Sequence, residues 1–419
     1  MKSRPVTGNA QLSQQINRAI VLEAIREFQP ISRAGIAKRT RLARPTVSRL
    51  VDSLITAQLV TEVGQGEASS MGGRRPTLVV FNASSFHVVG VELGISETFA
   101  VITDLEARVI SDMKLPTVSD SRESTIKSLF DVIRQVVAKS KIPPEKIIGI
   151  GLGIHGQTDI DTGAVHFAPH LRGWEDVPIG SILEAEFGMP CLVENDIRAE
   201  TIAELRSGAA KGKRNVVGLH VGSGIGAGII IDGHVYRGAD KSAGEIGHIA
   251  VVDDGPLCRC GKRGCLETVA AGPAIVTEAI RTVRSQPGSV LAGLAGGDIN
   301  HVTVDLVLEA AMQGDPAALS IMDRSGRYIG AAIATTINLF NPEMVVLLGS
   351  VSRKGSLLLE PIRTAAMERS LKVPARNVDI VLGELGEFGG AIGAAVLILE
   401  QRQKRLDLLL VESLGVAQG

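Results

Sequence analysis

The chain has 419 residues, with 44 Lys and Arg against 45 Asp and Glu, and is 45% hydrophobic, 21% charged and only 3% aromatic. That length fits two or three domains with sizeable cores, and the composition is that of a globular protein. No stretch reaches the roughly 18 apolar residues of a membrane span and residues 1–9 lack an apolar signal core, so no membrane partner and a cytoplasmic location are expected.

The near-zero net charge conceals a division. Residues 1–82 carry 12 Lys and Arg against 5 Asp and Glu, a balance of +7, which leaves −8 for the remainder. A basic head on an acidic body suits a polyanionic partner. Within the head, Ile16, Ile20, Val21, Ala24, Ile25 and Phe28 recur at helical spacing until Pro30. Ser32 can cap a second helix through Lys38, Arg41 to Ala43 make a turn, and Pro45 suits the first position of a third helix. There Val47, Leu50, Val51 and Leu54 face inward, leaving Arg44, Thr46, Ser48, Arg49 and Asp52 outward, as in the recognition helix of a helix-turn-helix. Two strand-like runs, Leu59 to Val63 and Pro76 to Phe81, flank a tip rich in Gly and Ser and so add a wing. Arg74 and Arg75 at that tip can meet phosphates or a narrow minor groove. The expected contacts to double-stranded DNA are therefore Arg44, Thr46, Ser48, Arg49, Arg74 and Arg75. A solvated helical mini-domain is the plainer reading of the helices alone; the wing and the charge favour DNA.

The body begins with strands at His87 to Leu93, Thr98 to Ile102 and Val109 to Ile110, a helix at about 121–140, and a strand at Ile147 to Ile154. Gly151 to Gly156 reads as a glycine-rich loop with Asp159 and Asp161 behind it. A short strand, Pro190 to Val193, ends in Glu194, Asn195 and Asp196 ahead of a helix, which places a carboxylate at a strand end where clefts form. Asp196 can take a proton from a ligand hydroxyl, or it can merely cap the helix. The pattern then restarts with a strand at Val216 to His220 and glycines at 222–228. Because Asp232 and Gly233 join two strand-like runs, those glycines enter a hairpin and not the helix that a dinucleotide fingerprint requires. Helices at about 272–284, 303–312 and 316–340, strands near 343–348 and 378–382, and a final helix opened by Gly389 and Gly390 complete two similar α/β lobes with a cleft between them. Residues 406–415 suit a short amphipathic helix for packing or oligomerisation.

Three of the four cysteines, Cys258, Cys260 and Cys265, fall within eight residues, with His248 ten positions upstream of Cys258. Three thiolates and an imidazole are the ligand set of a closed structural zinc site, and the glycines and basic residues between them favour a tight knuckle of thiolates. A disulfide or inert thiols are the alternatives, and with only Cys191 left over a disulfide framework is disfavoured. Glu245 and Glu267 stand beside His248 and Cys265, so fixing the ligands fixes the carboxylates toward a hydroxyl-rich ligand. Either glutamate alone would pass for a solvated surface residue.

With these residues in place the chain resembles the ROK family of repressors, open reading frames and sugar kinases, and within it the branch of sugar repressors. The resemblance extends from the winged helix to Ala395 and rests most on Gly244 to His248 and Cys258 to Glu267. It implies an α/β body of the two-lobed actin-like ATPase (ribonuclease H-like) fold behind an N-terminal winged helix-turn-helix. Its domains would be 1–82 for the head, 83–196 for the first lobe, completed by a C-terminal helix at about 388–405, and 197–387 for the second lobe with the zinc loop and an oligomerisation surface. It also implies that Asn195, Asp196, Glu245, His248 and Glu267 bind sugar hydroxyls, with Asp196 as catalytic base if phosphoryl transfer occurs, and that His248, Cys258, Cys260 and Cys265 hold structural Zn2+.

Two departures bear on activity. Family kinases open with Asp-x-Gly-Gly-Thr for nucleotide phosphates, whereas this chain has Glu92-Leu93-Gly94-Ile95-Ser96, and His155 and His170 stand where proline and asparagine are common. These count against ATP and Mg2+ as cofactors. The expected function is a sugar-responsive transcription regulator, a repressor by preference. A homodimer or tetramer would present its winged helices to a near-palindromic operator, and a sugar or sugar phosphate would be the effector. An ATP-dependent sugar kinase with a DNA-binding head is the rival, and a protein partner docking on the zinc lobe is a third possibility.

Overall fold

The computed structural model describes residues 10–66, 75–353 and 356–401. In the head, α1 (Ala10–Phe28) packs on α2 (Arg33–Thr40) and α3 (Arg44–Thr56). Ser32 caps α2, its hydroxyl accepting from the Gly35 N–H at 3.1 Å. Arg44, and not Pro45, opens α3; Pro45 takes the second position, where its missing N–H is again one the helix would leave unpaired. Val47, Leu50, Val51 and Leu54 are buried as one stripe of α3. The wing pairs β2 (Val60–Gln65) with β3 (Thr77–Phe81), and β1 (Ile31–Ser32) joins the far edge of β3. Arg74 lies outside the described residues; Arg75 is exposed just before β3.

Two five-stranded sheets of the same design build the body. In the first, β4 (His87–Leu93), β5 (Glu97–Asp104) and β6 (Val109–Pro116) form an antiparallel meander. The chain then crosses through α4 (Arg122–Ser140) so that β7 (Ile147–Ile154) runs parallel to β4. A small antiparallel sheet of β8 (Gln157–Asp159), β9 (Ala164–Phe167) and β10 (Glu175–Val177) follows. After α5 (Ile179–Phe187), β11 (Cys191–Asn195) closes the edge parallel to β7.

The second sheet repeats this after α6 (Asp196–Ser207). An antiparallel meander of β12 (Val216–Val221), β13 (Ile225–Ile231) and β14 (His234–Val235) is followed by parallel β15 (Met344–Leu348) and β16 (Asp379–Leu382). β7 and β15 are nearly continuous apolar runs because helices cover both of their faces. Among the helices between β14 and β15, Gly272–Ser285, Val304–Met312 and Pro316–Phe340 match the expected segments. No helix among the described residues is long and apolar enough to cross a membrane.

One expectation is corrected. Gly151 to Ile154 are not part of a loop but the last turn-facing half of β7. Their glycines serve packing, because the final helix, residues 389–401, lies directly on the sheet. A Cβ on Gly151 would stand 1.8 Å from the Ala394 carbonyl oxygen, and one on Gly90 2.0 Å from that of Ala391. The same helix joins the head to the body: Ala395, Val396 and Leu399 share one buried cluster with Val21, Ile25, Val88 and Val101. The described part of this helix ends at 401, and residues 406–415, read as an amphipathic helix, lie outside the described residues.

Candidate functional site

The knuckle at 258–265 is closed by its own backbone. Cys258 N–H donates to the Lys262 carbonyl at 2.7 Å and Gly261 N–H to that of Cys258 at 3.0 Å. Gly264, at φ +69°, passes so close to the next turn that a Cβ would meet the Val252 oxygen at 1.7 Å, so only glycine fits there. Short bridges Ala250 to Cys265 and Leu257 to Arg263 then carry the cysteines back to His248.

The four donor atoms of His248, Cys258, Cys260 and Cys265 lie within 4.8 Å of one another. Cys260 and Cys265 Sγ are 3.6 Å apart, and Cys258 Sγ is 3.5 Å from His248 Nδ1. Ligands about 2.3 Å from a tetrahedral centre stand about 3.8 Å apart, so the set fits a metal ion. Burial, reinforced by Glu267, pushes the Cys258 thiol up to about 12, whereas the Lys262 backbone N–H helps hold Cys260 down to about 7. An ion taken up here must therefore displace a proton from Cys258.

His248 presents Nδ1 to the sulfurs and Nε2 to the opposite side, 3.8 Å from a Glu245 carboxylate oxygen. Engaging Nδ1 fixes the tautomer that carries hydrogen on Nε2. Glu267 opens the helix Leu266–Ala270, with one oxygen 3.0 Å from Cys258 Sγ and 3.6 Å from His248 Nδ1. Its other oxygen lies toward Gly224 in the β12–β13 turn, 3.5 Å from the place of a Cβ there.

Across the cleft, Asn195 and not Asp196 caps α6: its side-chain oxygen accepts from the Arg198 N–H at 3.2 Å, while its amide donates to the Gly156 carbonyl and to Asp196. One Asp196 oxygen accepts from Ile197 N–H and Asn195 Nδ2, each at 2.9 Å; the other faces His155 Nδ1 at 3.3 Å. Burial pushes the Asp196 carboxyl up, yet His155, His220 and the Ile197 N–H together outweigh it and the net shift is downward. For His155, burial acts downward and the Asp196 carboxylate more than offsets it, so the imidazole stands above its ordinary value. His170, 5.1 Å from His155 between ring centroids, is lowered by burial and then by His155. The charges of Glu245, Glu267 and Arg259 reach these two imidazoles, so the cleft residues of both lobes share one electrostatic environment.

The direction of these shifts sets a pH signature. His155, raised when folded, stabilises fully below its ordinary 6.5 and ceases to do so as pH climbs through the raised value; Asp196, depressed, stabilises above 3.8 and fails as pH falls through its lowered value. The pair is thus worth most between those limits. His155→Gln is expected to cost about 1 kcal/mol at about pH 5.5 and much less at about pH 9, read as the gap in unfolding free energy from wild type.

Several site residues were not singled out from the sequence. Buried Arg198 donates to Glu194 at 2.7 Å, to the Lys241 carbonyl at 3.1 Å and to Thr158 at 3.2 Å, and Arg237 takes the other Glu194 oxygen at 2.7 Å. Lys241 pairs with Asp159 and, at 2.6 Å, with Asp161. These contacts tie β8 and β11 to the loop that leads into Glu245. His220, at the end of β12, is held by Glu200 at 2.9 Å beside Gly222 and Gly349. The four-residue spacing of Glu194 and Arg198 was the one local signal for any of them.

In the head, Arg44 and Arg49 are exposed on α3, with Thr46 and Ser48 half-buried beside them. Arg33 braces this helix and the wing at once, bonding Asp52 at 2.7 Å and Glu62 at 2.8 Å.

Fold and site together define a two-lobed α/β protein of the actin-like class with a winged-helix head and a Cys3His cluster able to bind a metal ion. The ROK family profile matches residues 88–401, and that of the MarR family matches residues 12–74. The chain belongs to the ROK family. It is 32% identical to the xylose repressor of Caldicellulosiruptor bescii over 94% of this chain and 97% of that one. It is also 32% identical to the DNA-binding transcriptional dual regulator NagC of Escherichia coli, over 93% and 94%. Among solved structures, a ROK family transcriptional regulator described as a homolog of the E. coli MLC protein superposes with a TM-score of 0.83 at 29% identity, covering 95% of this chain and 99% of the other. A ROK family glucokinase from Streptomyces griseus, solved with glucose and AMPPNP, gives 0.66 at 34% identity over 74% and 98%.

Proposed function

We propose that this protein is a cytoplasmic, sugar-responsive transcription regulator that acts as a repressor. Winged helices of a homodimer or tetramer bind operator DNA through Arg44, Thr46, Ser48, Arg49 and the wing arginines Arg74 and Arg75. A sugar or sugar phosphate enters the cleft and meets Asn195, Asp196, Glu245, His248 and Glu267, behind which His248, Cys258, Cys260 and Cys265 hold Zn2+. The observation that carries the reading is His248, which turns Nδ1 to three sulfurs and Nε2 to the cleft, so that one residue couples the metal to the ligand. Zn2+ bound as thiolates would also free Glu267 from the Cys258 thiol and return its carboxylate to the cleft. The relatives, a xylose repressor and a dual transcription regulator matched over nearly their full length, support the regulatory role. The two matching sheets support a division at about residues 82, 196 and 387, with the helix 389–401 returned to the first lobe.

The kinase reading has less support. His155 faces the second Asp196 oxygen at 3.3 Å and holds its pKa low, which weakens Asp196 as a base while leaving it able to accept from a hydroxyl. Glu92 sets a longer carboxylate where the family aspartate stands, and Ile95 puts a side chain where a phosphate loop needs the close approach of glycine.

Thermal unfolding of the zinc-loaded protein against sugars and sugar 6-phosphates, with and without MgATP, tests the effector. Ligand at about 100 times its dissociation constant should add roughly 2.7 kcal/mol, lost in Glu245→Ala and indifferent to MgATP. A shift that requires MgATP would instead favour the kinase. For the head, Arg49→Ala should weaken operator binding by about 1–3 kcal/mol at matched salt with sugar binding intact; unchanged affinity would displace α3 as the reading helix.

A further inference from the structure

Where the head meets the first lobe, the chain forms an open crevice of about 690 Å3, within the size range of small-molecule sites. Its walls come from both sides: Ile55, Gln58 and Val60 from the end of α3 and the start of β2, and His87, Lys141 and Lys146 from the body. It is separate from the cleft between the lobes.

The chemistry of these walls is that of an anion site. Neither Lys141 nor Lys146 has a carboxylate in salt-bridge reach among the described residues, and the crevice's own acid, Glu62, is taken by Arg33 at 2.8 Å. His87 is only 8% exposed and its unpartnered Nδ1 is closed off from solvent, so the two lysines carry the charge of the site. Ile55 and Val60 give an apolar wall opposite these polar groups. DNA does not fit the description, because α3 sets Gln58 roughly 20 Å from Arg44, at the other end of the recognition helix.

We propose that this crevice binds a small organic anion, its carboxylate or phosphate held between Lys141 and Lys146, and that occupancy sets the angle of the head. The coupling is built in. Lys146 Nζ donates to the Gln58 side chain at 2.6 Å, so the end of α3 is clasped to the body. An anion that takes Lys146 competes with Gln58 for it, and binding and head position then bias each other.

Calorimetry on the full-length protein at constant ionic strength, without sugar, tests this with citrate and glycerol 3-phosphate as probes; the two arms separate a carboxylate site from a phosphate site. At least one should bind at one per chain and change operator affinity by about threefold or more. The double variant Lys141→Gln, Lys146→Gln should lose about tenfold or more in anion affinity, and so, in part, should the single variant Lys141→Glu. In Lys141→Gln alone, which leaves the Lys146–Gln58 bond in place, operator affinity in anion-free buffer and unfolding temperature should stay at wild-type values. No saturable binding of either probe, or binding indifferent to the lysines, overturns the proposal. So does a loss of operator affinity in anion-free Lys141→Gln, which would make that lysine a DNA contact.

Discussion

Cys265→Ser is expected to abolish the binding of one metal ion per chain, counted by elemental analysis, and to lower the unfolding free energy by about 3–5 kcal/mol. For a lobe of this size that is roughly 6–20 °C in unfolding temperature. Cys265 is fully buried and bridges to Ala250, so its sulfur cannot be replaced from solvent. A serine hydroxyl has neither the softness nor the acidity to close a tetrahedral thiolate set. The effect should not stop at stability. The loop 249–265 positions His248 and Glu267, and effector affinity should fall about 10–100-fold with the metal. Chelator treatment of wild type should reproduce both losses, and zinc should restore them in wild type alone. If the variant kept its metal, or lost it without any thermal shift, the Cys3His set would not be the structural site argued for here.

Gly151→Ala is expected to cost about 4 kcal/mol or more in denaturant unfolding, a large change for one added methyl group. The added carbon would stand 1.8 Å from the Ala394 oxygen and 2.3 Å from its carbonyl carbon, both backbone atoms of the helix 389–401. No rotamer relieves a backbone clash, so the helix must move off β7, and the head, which packs on the same helix, moves with it. The lower chain entropy of an unfolded alanine returns only about 0.4–1 kcal/mol. Gly288→Ala, with nothing within 4 Å of its Cβ position, is the control and should change stability by less than about 1 kcal/mol. A near-neutral Gly151→Ala would mean that the final helix does not lie on this sheet as described.

Those two positions mark how far the sequence carries. The head was legible because its signals are local: a cap at Ser32, a proline at the start of α3, and an apolar stripe from Val47 to Leu54. The metal set was legible for the same reason, since three ligands fall within eight residues and their chemistry admits few readings. Gly151 misled because glycine serves two ends: a loop that approaches a ligand and a strand that admits a helix leave the same letter. Asp196 stayed ambiguous between cap and ligand group until Asn195 was seen to supply the cap and His155 to face the carboxylate.

By itself, then, the amino-acid order determined most of the elements, the repetition of their order and the spacing of the Cys3His set, because each depends on period, capping or ligand spacing within a few residues. Only the tertiary structure decided which charges meet. Glu194 with Arg237, Lys241 with Asp159 and Asp161, and the pairing of His155 with Asp196 join residues about 40 to 80 positions apart. Such pairings are set by the crossing of sheets and helices, and Coulomb energy depends on distance in space, not along the chain. The crevice between head and body likewise exists only because the final helix draws the first 82 residues onto the first lobe.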